Sequence, residues 1–355
     1  MSENVLDQAG SIREGEELDT KVVTDFIKSV VPDVKGTARI KQFPGGASNL
    51  TYAVSFDNKE YILRRPPFGK KAKSAHDMGR EFRVMQKLKP VYPYVPNMVA
   101  FCQDESVLGC DFYVMERLIG IIPRDNMPQG LTLTPEQARA LCMSVLDRFI
   151  ELHSVDYVAA GLSDLGKGDG YVVRQIEGWN KRFLDAKTPH VPDCENPMAC
   201  LHANMPAQVK TCIIHNDYRM DNVVLSPTDP TQVIGVLDWE MATLGDPLMD
   251  LGNTLAYWVE ANDPPNAQML RRQPSHLPGM MTRTEVMDYY CSKMNLSTEN
   301  FVFYRVYGLF RLAAILQQIY YRYYHGQTKD KRFSVFGFSV VELERQAQAL
   351  IAEMG

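Results

Sequence analysis

A short segment in the second half of the chain carries polar residues at a spacing that suits phosphoryl transfer. His215, Asp217 and Asn222 fit the pattern His-x-Asp-x-x-x-x-Asn. In a kinase catalytic loop of that form, the Asp accepts the proton of the substrate hydroxyl and the Asn binds Mg²⁺. The pattern therefore predicts Asp217 as the catalytic residue and Asn222 as a metal ligand, although three fixed positions make a weak signal by themselves.

Two β-prone runs follow this loop and predict a second metal ligand. Val223 to Leu225 and Val233 to Leu237 are separated by residues typical of turns, so they should pair as a hairpin. The hairpin would return the chain to Asp238, beside Asn222. Carboxylate and amide oxygens are hard ligands that suit Mg²⁺. Taken one at a time, these polar residues could equally be turn residues, helix caps or buried structural residues.

A glycine pair between the first two predicted strands predicts a phosphate-binding loop. The loop contains Gly45, Gly46, Ser48 and Asn49. Adjacent glycines let backbone N–H groups close on phosphate oxygens, and the serine could add a hydroxyl donor. The loop departs from the pattern Gly-x-Gly-x-x-Gly, and a glycine pair between strands is more often a simple turn.

Four further positions complete a predicted site for ATP or GTP. Arg64 stands on the third strand, where kinases carry a Lys, with Glu81 on the next helix as its ion-pair partner. A guanidinium binds phosphate well but is larger and forked, so its contact geometry would differ from that of a lysine. Glu116 and Leu118 lie where two lobes should join, and their backbone groups could bond an adenine edge. The alternative is that these are surface charges and an ordinary edge strand.

The elements that must position these residues indicate an α+β fold. Up to residue 117, short β-prone runs form an antiparallel meander with an inserted helix, and later stretches keep a helical rhythm. We therefore expect a protein-kinase-like two-lobe fold, with a small antiparallel β N-lobe (1–117) and a larger, mainly helical C-lobe (118–355). Only the two hairpin strands should interrupt the helices of the second half. The predicted strands are Ala38 to Phe43, Leu50 to Phe56, Glu60 to Leu63, Met98 to Cys102 and Phe112 to Met115, and the predicted helices are Thr20 to Val31, Asp77 to Leu88, Pro135 to His153, Tyr171 to Phe183, Arg305 to Tyr324 and Val340 to Met354.

Composition narrows the classes of partner. The 355 residues are 45% hydrophobic, which is enough for packed cores, and the net charge of −5 argues against nucleic acid or an anionic membrane surface. The seven cysteines are odd in number and lack Cys-x-x-Cys spacing, so they predict neither a disulfide framework nor a zinc site. No run approaches the roughly 18 apolar residues of a membrane span. We expect a cytoplasmic protein that acts on a small molecule.

Longer stretches resemble a known enzyme family. The chain from Gly45 to about Glu260 resembles the aminoglycoside phosphotransferase and choline kinase superfamily, in particular its kinase-like group that is sometimes fused to acyl-CoA dehydrogenases. The stretches typical of that group are Gly-Gly-x-Ser-Asn-x-Thr-Tyr, Leu-Arg-Arg-Pro-Pro, Ser-Ala-His-Asp-Met, Arg-Glu-Phe-Arg-Val-Met, Leu-His-Ser-Val-Asp and Leu-Asp-Trp-Glu-x-Ala-Thr-x-Gly-Asp-Pro-x-x-Asp-Leu, which begin here at Gly45, Leu63, Ser74, Arg80, Leu152 and Leu237.

The resemblance implies a role for each residue already singled out. Asp217 would be the catalytic base, Asn222 and Asp238 the metal ligands, and Arg64 with Glu81 the phosphate-positioning pair. The substrate would be a small molecule with a hydroxyl group, because the long activation segment and the Ala-Pro-Glu anchor of a protein kinase have no counterpart after the second metal ligand.

The superfamily does not determine the acceptor. A polycationic aminoglycoside would favour a dense acidic rim, whereas segments 155–200 and 260–330 combine arginines with many aromatic residues. The dehydrogenase-linked relatives imply a hydroxy acid or a hydroxyacyl thioester instead. The arginines are Arg271, Arg272, Arg305, Arg311 and Arg322.

Two other functions compete with this hypothesis. A nucleotide-binding pseudokinase could serve as a scaffold without catalysis, but the complete set of Asp217, Asn222 and Asp238 speaks against it. A metallohydrolase could use His215 and Asp217 as ligands, but no other histidine has a paired ligand spacing. The acceptor, the choice between ATP and GTP, and the oligomeric state stay open.

Overall fold

The N-terminal part of the chain folds around a five-stranded antiparallel sheet in the computed structural model, which describes residues 5–44, 49–68 and 77–354. The elements in chain order are α1 (Thr20–Val30), β1 (Arg39–Gln42), β2 (Leu50–Ser55), β3 (Glu60–Arg65), α2 (Met78–Leu88), β4 (Met98–Cys102), α3 (Glu105–Leu108) and β5 (Phe112–Glu116). The strands lie in the order β1-β2-β3-β5-β4. The predicted meander and its inserted helix are confirmed.

The hairpin of β2 and β3 sets the position of Arg64. Ser55 pairs with Glu60 across the turn between these strands, in which the side-chain amide of Asn58 donates to the carbonyl of Asp33. β3 continues to Arg65 and is therefore longer than predicted, because its last residues pair with the start of β2. Arg64 is thereby held inside the sheet, between β2 and β5.

The C-terminal part is mainly helical, as predicted. Thr134 and Gln137 form a complete capping box at the start of the first long helix, and the hydroxyl of Thr134 accepts from the backbone N–H of Gln137. The elements are α4 (Pro135–Ser154), α5 (Tyr171–Asp185), α6 (Glu195–Ala203), β6 (Cys212–Ile214), β7 (Val223–Leu225), β8 (Val233–Val236), β9 (Thr243–Gly245), α7 (Pro247–Ala256), α8 (Pro265–Gln268), α9 (Arg283–Met294), α10 (Phe301–Tyr324) and α11 (Phe336–Ala352).

Two strand pairs interrupt these helices, so the prediction of a single hairpin is wrong on this point. β7 and β8 form the predicted hairpin, with Val223 opposite Val236. β6 and β9 form a second antiparallel pair, in which Ile213 lies opposite Leu244. This pairing joins residues far apart in the sequence, and strands of three residues give no clear periodic signal. The β6–β9 pair encloses the segment that carries Asp217 and Asp238.

The sheet packs on both faces. Leu63 and Val114 belong to a cluster with α1, whereas Ile62 and Tyr113 join the large core that extends through the helical part. The fold is therefore α+β, as predicted, and the boundary between residues 117 and 118 stays a prediction. None of the helices in the described ranges has the length and apolar character needed to cross a bilayer.

Candidate active site

Asp217 and Asn222 lie together in the loop between β6 and β7. The side-chain amide nitrogen of Asn222 donates to the carbonyl oxygen of Asp217 at 2.8 Å and to its carboxylate Oδ2 at 3.1 Å. A carboxylate accepts but does not donate, so the nitrogen end of the amide must face Asp217. The side-chain oxygen Oδ1 of Asn222 is then the atom that could bind a cation.

The β7–β8 hairpin brings Asp238 beside this loop, as predicted. The backbone N–H of Leu237 donates to the carbonyl oxygen of Asn222 at 2.8 Å, which continues the pairing of the two strands. Asp238 follows with a positive φ of 67°, a conformation that Asp tolerates better than most residues. Its side chain is 34% exposed and extends toward Arg64.

Arg64 links Asp238 to Glu81. Its guanidinium donates to Glu81 Oε1 at 2.7 Å through Nη1 and to Asp238 Oδ1 at 2.6 Å through Nη2. The side chains of Arg64 and Glu81 are 9% and 1% exposed, so the alternative that they are surface charges is wrong. The predicted ion pair is present, and its geometry uses both arms of the fork that a lysine lacks.

Burial and charge act in opposite directions on these three groups. Burial alone would raise the pKa of Asp238, but the charge and hydrogen bond of Arg64 outweigh it and lower that pKa. Burial likewise opposes the charge of Arg64, yet Glu81 and Asp238 keep its pKa well above the ordinary value. Burial raises the pKa of Glu81 in spite of its guanidinium partner. A carboxylate at Asp238 is therefore available for a cation at neutral pH.

Two residues that the sequence interpretation missed, Glu240 and Arg80, also join this site. Glu240 accepts from the side-chain amide of Asn49 at 2.8 Å and lies 3.8 Å from Arg64 Nη2. Arg80 donates to the backbone carbonyls of Glu240, Leu165 and Ala242. Glu240 could have been noticed as an acidic residue only two positions after Asp238. No local pattern pointed to the long-range bonds of Arg80.

Asp250 fixes the backbone of the loop that carries Asp217. The backbone N–H groups of His215 and Asn216 donate to its two carboxylate oxygens at 2.7 and 2.9 Å. Asp250 lies in the first turn of α7. The sequence interpretation missed its bonds to the loop, because the pairing of Asp250 with the loop depends on the β6–β9 ladder.

His215 has a structural environment. Its Nε2 lies 3.0 Å from the carbonyl oxygen of Leu237, and its Nδ1 accepts from the backbone N–H of Asp217 at 3.3 Å. Both ring nitrogens are thus engaged, and burial lowers the pKa of the imidazole. This arrangement leaves no ring nitrogen for a metal, and in the described part of the chain no three His, Cys, Asp or Glu side chains cluster as ligands. Neither observation favours the metallohydrolase alternative.

A cavity of about 180 Å³ connects the sheet with the loop and hairpin. Five predicted site residues line it: Arg64, Glu116, Leu118, Asn222 and Asp238. The backbone N–H of Glu116 already donates to the carbonyl oxygen of Asn97 at 2.9 Å. The carbonyl of Glu116 and the backbone of Leu118 are therefore the groups that could meet an adenine edge.

The predicted phosphate-binding loop is described only at its end. Gly45, Gly46 and Ser48 lie outside the described residues, so their predicted roles stay predictions. Asn49 is fully buried, and its amide bonds Glu240 instead of extending into the cavity. Its position suits a residue that holds the end of the loop against the hairpin.

Sequence comparison identifies the family. The profile of the Phosphotransferase enzyme family matches residues 39–284, which include every residue of the site described above. The chain belongs to this family. Members of the phosphotransferase family are small-molecule kinases, so the kinase and phosphotransferase class predicted from the sequence is confirmed.

Curated relatives carry the phosphotransferase segment inside longer proteins. Mouse acyl-CoA dehydrogenase family member 10 is 35% identical over 297 residues, which are 83% of this chain and 27% of that protein. Human acyl-CoA dehydrogenase family member 11 is 32% identical over 306 residues, which are 85% of this chain and 38% of that protein. The chain thus spans well under half the length of these relatives.

Solved structures confirm the predicted kinase-like fold. A Ralstonia eutropha protein named as a candidate aminoglycoside phosphotransferase has a TM-score of 0.80 and 28% identity, over 95% of this chain and 99% of that one. A choline kinase from Cryptosporidium parvum has a TM-score of 0.63 and 13% identity, over 95% and 97% of the two chains. More distant structures in the phosphotransferase family include one complex with ATP and streptomycin and one with GDP and kanamycin.

Proposed function

We propose that this chain is a Mg²⁺-dependent phosphotransferase that moves the γ-phosphate of ATP or GTP to a hydroxyl group of a small molecule. The observation that carries the proposal is that Asn222, Asp238 and Arg64 line one cavity, where Arg64 bonds Asp238 and Asn222 bonds the carboxylate of Asp217. These are the residue types that an in-line phosphoryl transfer requires: a proton acceptor, hard oxygen ligands and a cation.

Each residue has one task in this proposal. Asp217 accepts the proton of the acceptor hydroxyl and orients its oxygen toward the phosphorus. The amide of Asn222 holds the Asp217 carboxylate in place, and the remaining oxygens of Asn222 and Asp238 would hold Mg²⁺. When bound, the ion would neutralise charge on the phosphates. Arg64 supplies a second cation, kept charged by Glu81.

The 180 Å³ cavity is the proposed nucleotide site. Its lining runs from the end of β5 to the metal ligands, so an adenine or guanine at Glu116 and Leu118 would direct its phosphates toward Asp238. Nucleotide use in the family, with ATP in one related structure and GDP in another, supports this assignment for ATP or GTP. Gly45, Gly46 and Ser48 are proposed to close over the phosphates.

A hydroxy acid or hydroxyacyl thioester is the acceptor class that we propose. The relatives that carry this segment are named acyl-CoA dehydrogenases, and their names connect the segment with acyl thioesters. Next to Asp217, the guanidinium of Arg219 lies 3.4 Å from its carboxylate and stacks on the ring of Tyr257. An arginine and an aromatic ring beside the catalytic carboxylate suit an acidic acceptor better than a polycation.

Three variants test the proposal. Purified wild-type protein should release ADP or GDP in the presence of Mg²⁺ when a library of hydroxy acids, hydroxyacyl thioesters, amino alcohols and sugars contains the acceptor. Asp217→Asn should bind Mg²⁺–nucleotide but lose turnover by at least about 10²-fold, and Asp238→Asn should weaken the Mg²⁺ dependence of nucleotide binding itself. Asp229→Asn, in the turn between β7 and β8, is the matched control and should keep full turnover.

The same experiment distinguishes an active phosphotransferase from a pseudokinase that serves only as a scaffold. A protein that binds nucleotide but gives no acceptor-dependent product from any compound would behave as a pseudokinase. Unchanged turnover in Asp217→Asn or in Asp238→Asn would contradict the roles proposed for these residues.

A further inference from the structure

A second cavity, of about 210 Å³, lies in the helical part of the chain, between α7, α9, α10 and α11. It shares no lining residue with the cavity that contains Arg64 and Asp238. Its floor is apolar and includes Leu255, Leu309 and Leu350. Its polar lining consists of three arginines, one amide and one carboxylate: Arg283, Arg305, Arg345, Gln346 and Asp263.

Arg305 lacks a counter-ion in this lining. Arg283 is held by Asp263 and Glu260, and Arg345 is held by Glu342 at 2.6 Å. Within the described ranges, the side chain of Arg305 makes no hydrogen bond and no ion pair within 4.0 Å. Burial, and then the nearby charge of Arg283, lower the pKa of Arg305. A partly buried guanidinium with free donors near a second arginine is a favourable place for an anion.

The cavity lies on a different side of α10 from the catalytic loop. Leu309 faces the cavity, whereas Arg311, two residues later, donates to the backbone carbonyl of Asn216 at 3.0 Å. Side chains two positions apart on an α-helix point about 160° away from each other. The cavity is therefore separate from the surface on which Asp217 would meet its acceptor.

We propose that this cavity binds a small organic anion, whose carboxylate or phosphate group pairs with Arg305 and whose short aliphatic part covers the leucine floor. The proposal concerns a site beyond the proposed phosphotransfer and does not depend on turnover.

Calorimetric titration with four defined probes tests this site. Sodium hexanoate and monobutyl phosphate carry the two oxyanions, hexanol lacks the charge, and hexylammonium reverses it. The full chain is first saturated with Mg²⁺ and a non-hydrolysable ATP analogue, so that the nucleotide cavity does not contribute. We expect saturable binding of at least one oxyanion probe, with a dissociation constant on the order of 1 mM, and no saturable binding of hexanol or hexylammonium. The better of hexanoate and monobutyl phosphate tells which oxyanion the site prefers.

Two variants connect binding to the cavity. Arg305→Gln removes the unpaired charge and should weaken the oxyanion about tenfold or more, with an unchanged or higher melting temperature, because no ion pair is lost. Arg332→Gln removes an arginine whose side chain is 83% exposed and should bind like the wild type. Ala349→Glu places a carboxylate in the cavity from an exposed position of α11 and should abolish binding.

Three results would overturn the proposal. They are equal binding of hexanol and both oxyanions, no saturable binding of either oxyanion, and wild-type affinity in Arg305→Gln or Ala349→Glu. If Arg305→Gln fails to fold, Ala349→Glu decides the outcome, because it changes an exposed helical position and leaves all three arginines in place.

Discussion

Arg64 and Asp238 lie 174 residues apart in the sequence, yet Nη2 of the arginine is 2.6 Å from Oδ1 of the aspartate. The other arm of the same guanidinium holds Glu81 on α2. One side chain of the sheet therefore joins a helix and the end of the β7–β8 hairpin. The proposed metal ligand and the proposed phosphate-binding cation are positioned by each other before any nucleotide enters.

Two substitutions of Arg64 should distinguish how much its two-armed hydrogen bonding and its positive charge each contribute to stability. Arg64→Lys keeps a cation for Glu81 but cannot hold both carboxylates, so the free energy of unfolding should fall by about 1.5 to 3 kcal/mol, the value of a hydrogen bond to a charged group. Arg64→Met leaves Glu81 buried without its cationic partner and should cost about 3 to 5 kcal/mol. Urea unfolding measures both.

Arg39→Met is the control for this series. Its ion pair with Asp57 is more than half exposed on both sides, so its loss should cost no more than about 1 kcal/mol. Wild-type stability in Arg64→Lys would contradict a structural role for the forked geometry, and equal losses in Arg64→Lys and Arg64→Met would show that the charge alone contributes nothing.

Asp250→Asn should lower turnover more than it raises the nucleotide KM. The carboxylate of Asp250 accepts from two consecutive backbone N–H groups next to Asp217, and an amide replaces one acceptor with a donor. A loop displaced by about 1 Å costs on the order of 10²-fold in rate. Steady-state kinetics with the acceptor found by the library screen measure the effect.

The control for Asp250 is Asp185→Asn on α5. That carboxylate is 61% exposed and pairs with Lys181 one helical turn away, so both kcat and KM should stay at the wild-type values. An increase in nucleotide KM with no change in kcat for Asp250→Asn would place the residue in nucleotide binding and contradict the positioning role.

Gly308→Ala should destabilise the fold, although the same change stabilises most helices. A Cβ at Gly308 would lie closer than 3.0 Å to the backbone carbonyl of Gly252, where α7 and α10 cross. The helices would have to separate, and the cost should exceed the roughly 1 to 3 kcal/mol typical of overpacking. Gly10→Ala, with no heavy atom within 4 Å of the new Cβ, should change stability by less than about 0.5 kcal/mol. Thermal unfolding of the pair checks the contrast.

Local signals predicted much of the fold. The helix predicted from Pro135 begins at the capping box of Thr134 and Gln137, and the paired strands β2 and β3 are also short-range features; the structure contains both. The capping box of Thr282 and Glu285 is an equally local signal, but no helix was predicted at α9. α6 begins after Cys194 without a side-chain cap, so the sequence offers no start signal for it.

The site was predictable where its residues share one segment. Asp217, Asn222 and Asp238 belong to a loop and hairpin whose pairing follows from two β-branched runs. The contacts of Glu240 with Asn49 and of Arg80 with the backbone of residue 240 join distant parts of the chain. Such pairs depend on how the sheet sits against the hairpin, and no periodicity of a single sequence encodes that arrangement.

The buried imidazole of His215 should make the protein sensitive to mild acid. Burial lowers its pKa in the folded state, so below the unfolded value of about 6.5 the unfolded chain binds more protons. The stability associated with the neutral ring is thus present above pH 6.5 and is lost as the pH falls. Protonation would also displace the backbone N–H of Asp217 from Nδ1. The free energy of unfolding in urea and the turnover, each measured between pH 5 and 8, should therefore decline together on the acid side.

His215→Gln should flatten the dependence of stability on pH in this range, whereas His202→Gln, at an exposed position of α6, should leave the wild-type profile unchanged. An acid-side decline of stability that is as steep in His215→Gln as in the wild type would assign it to other groups and contradict this role.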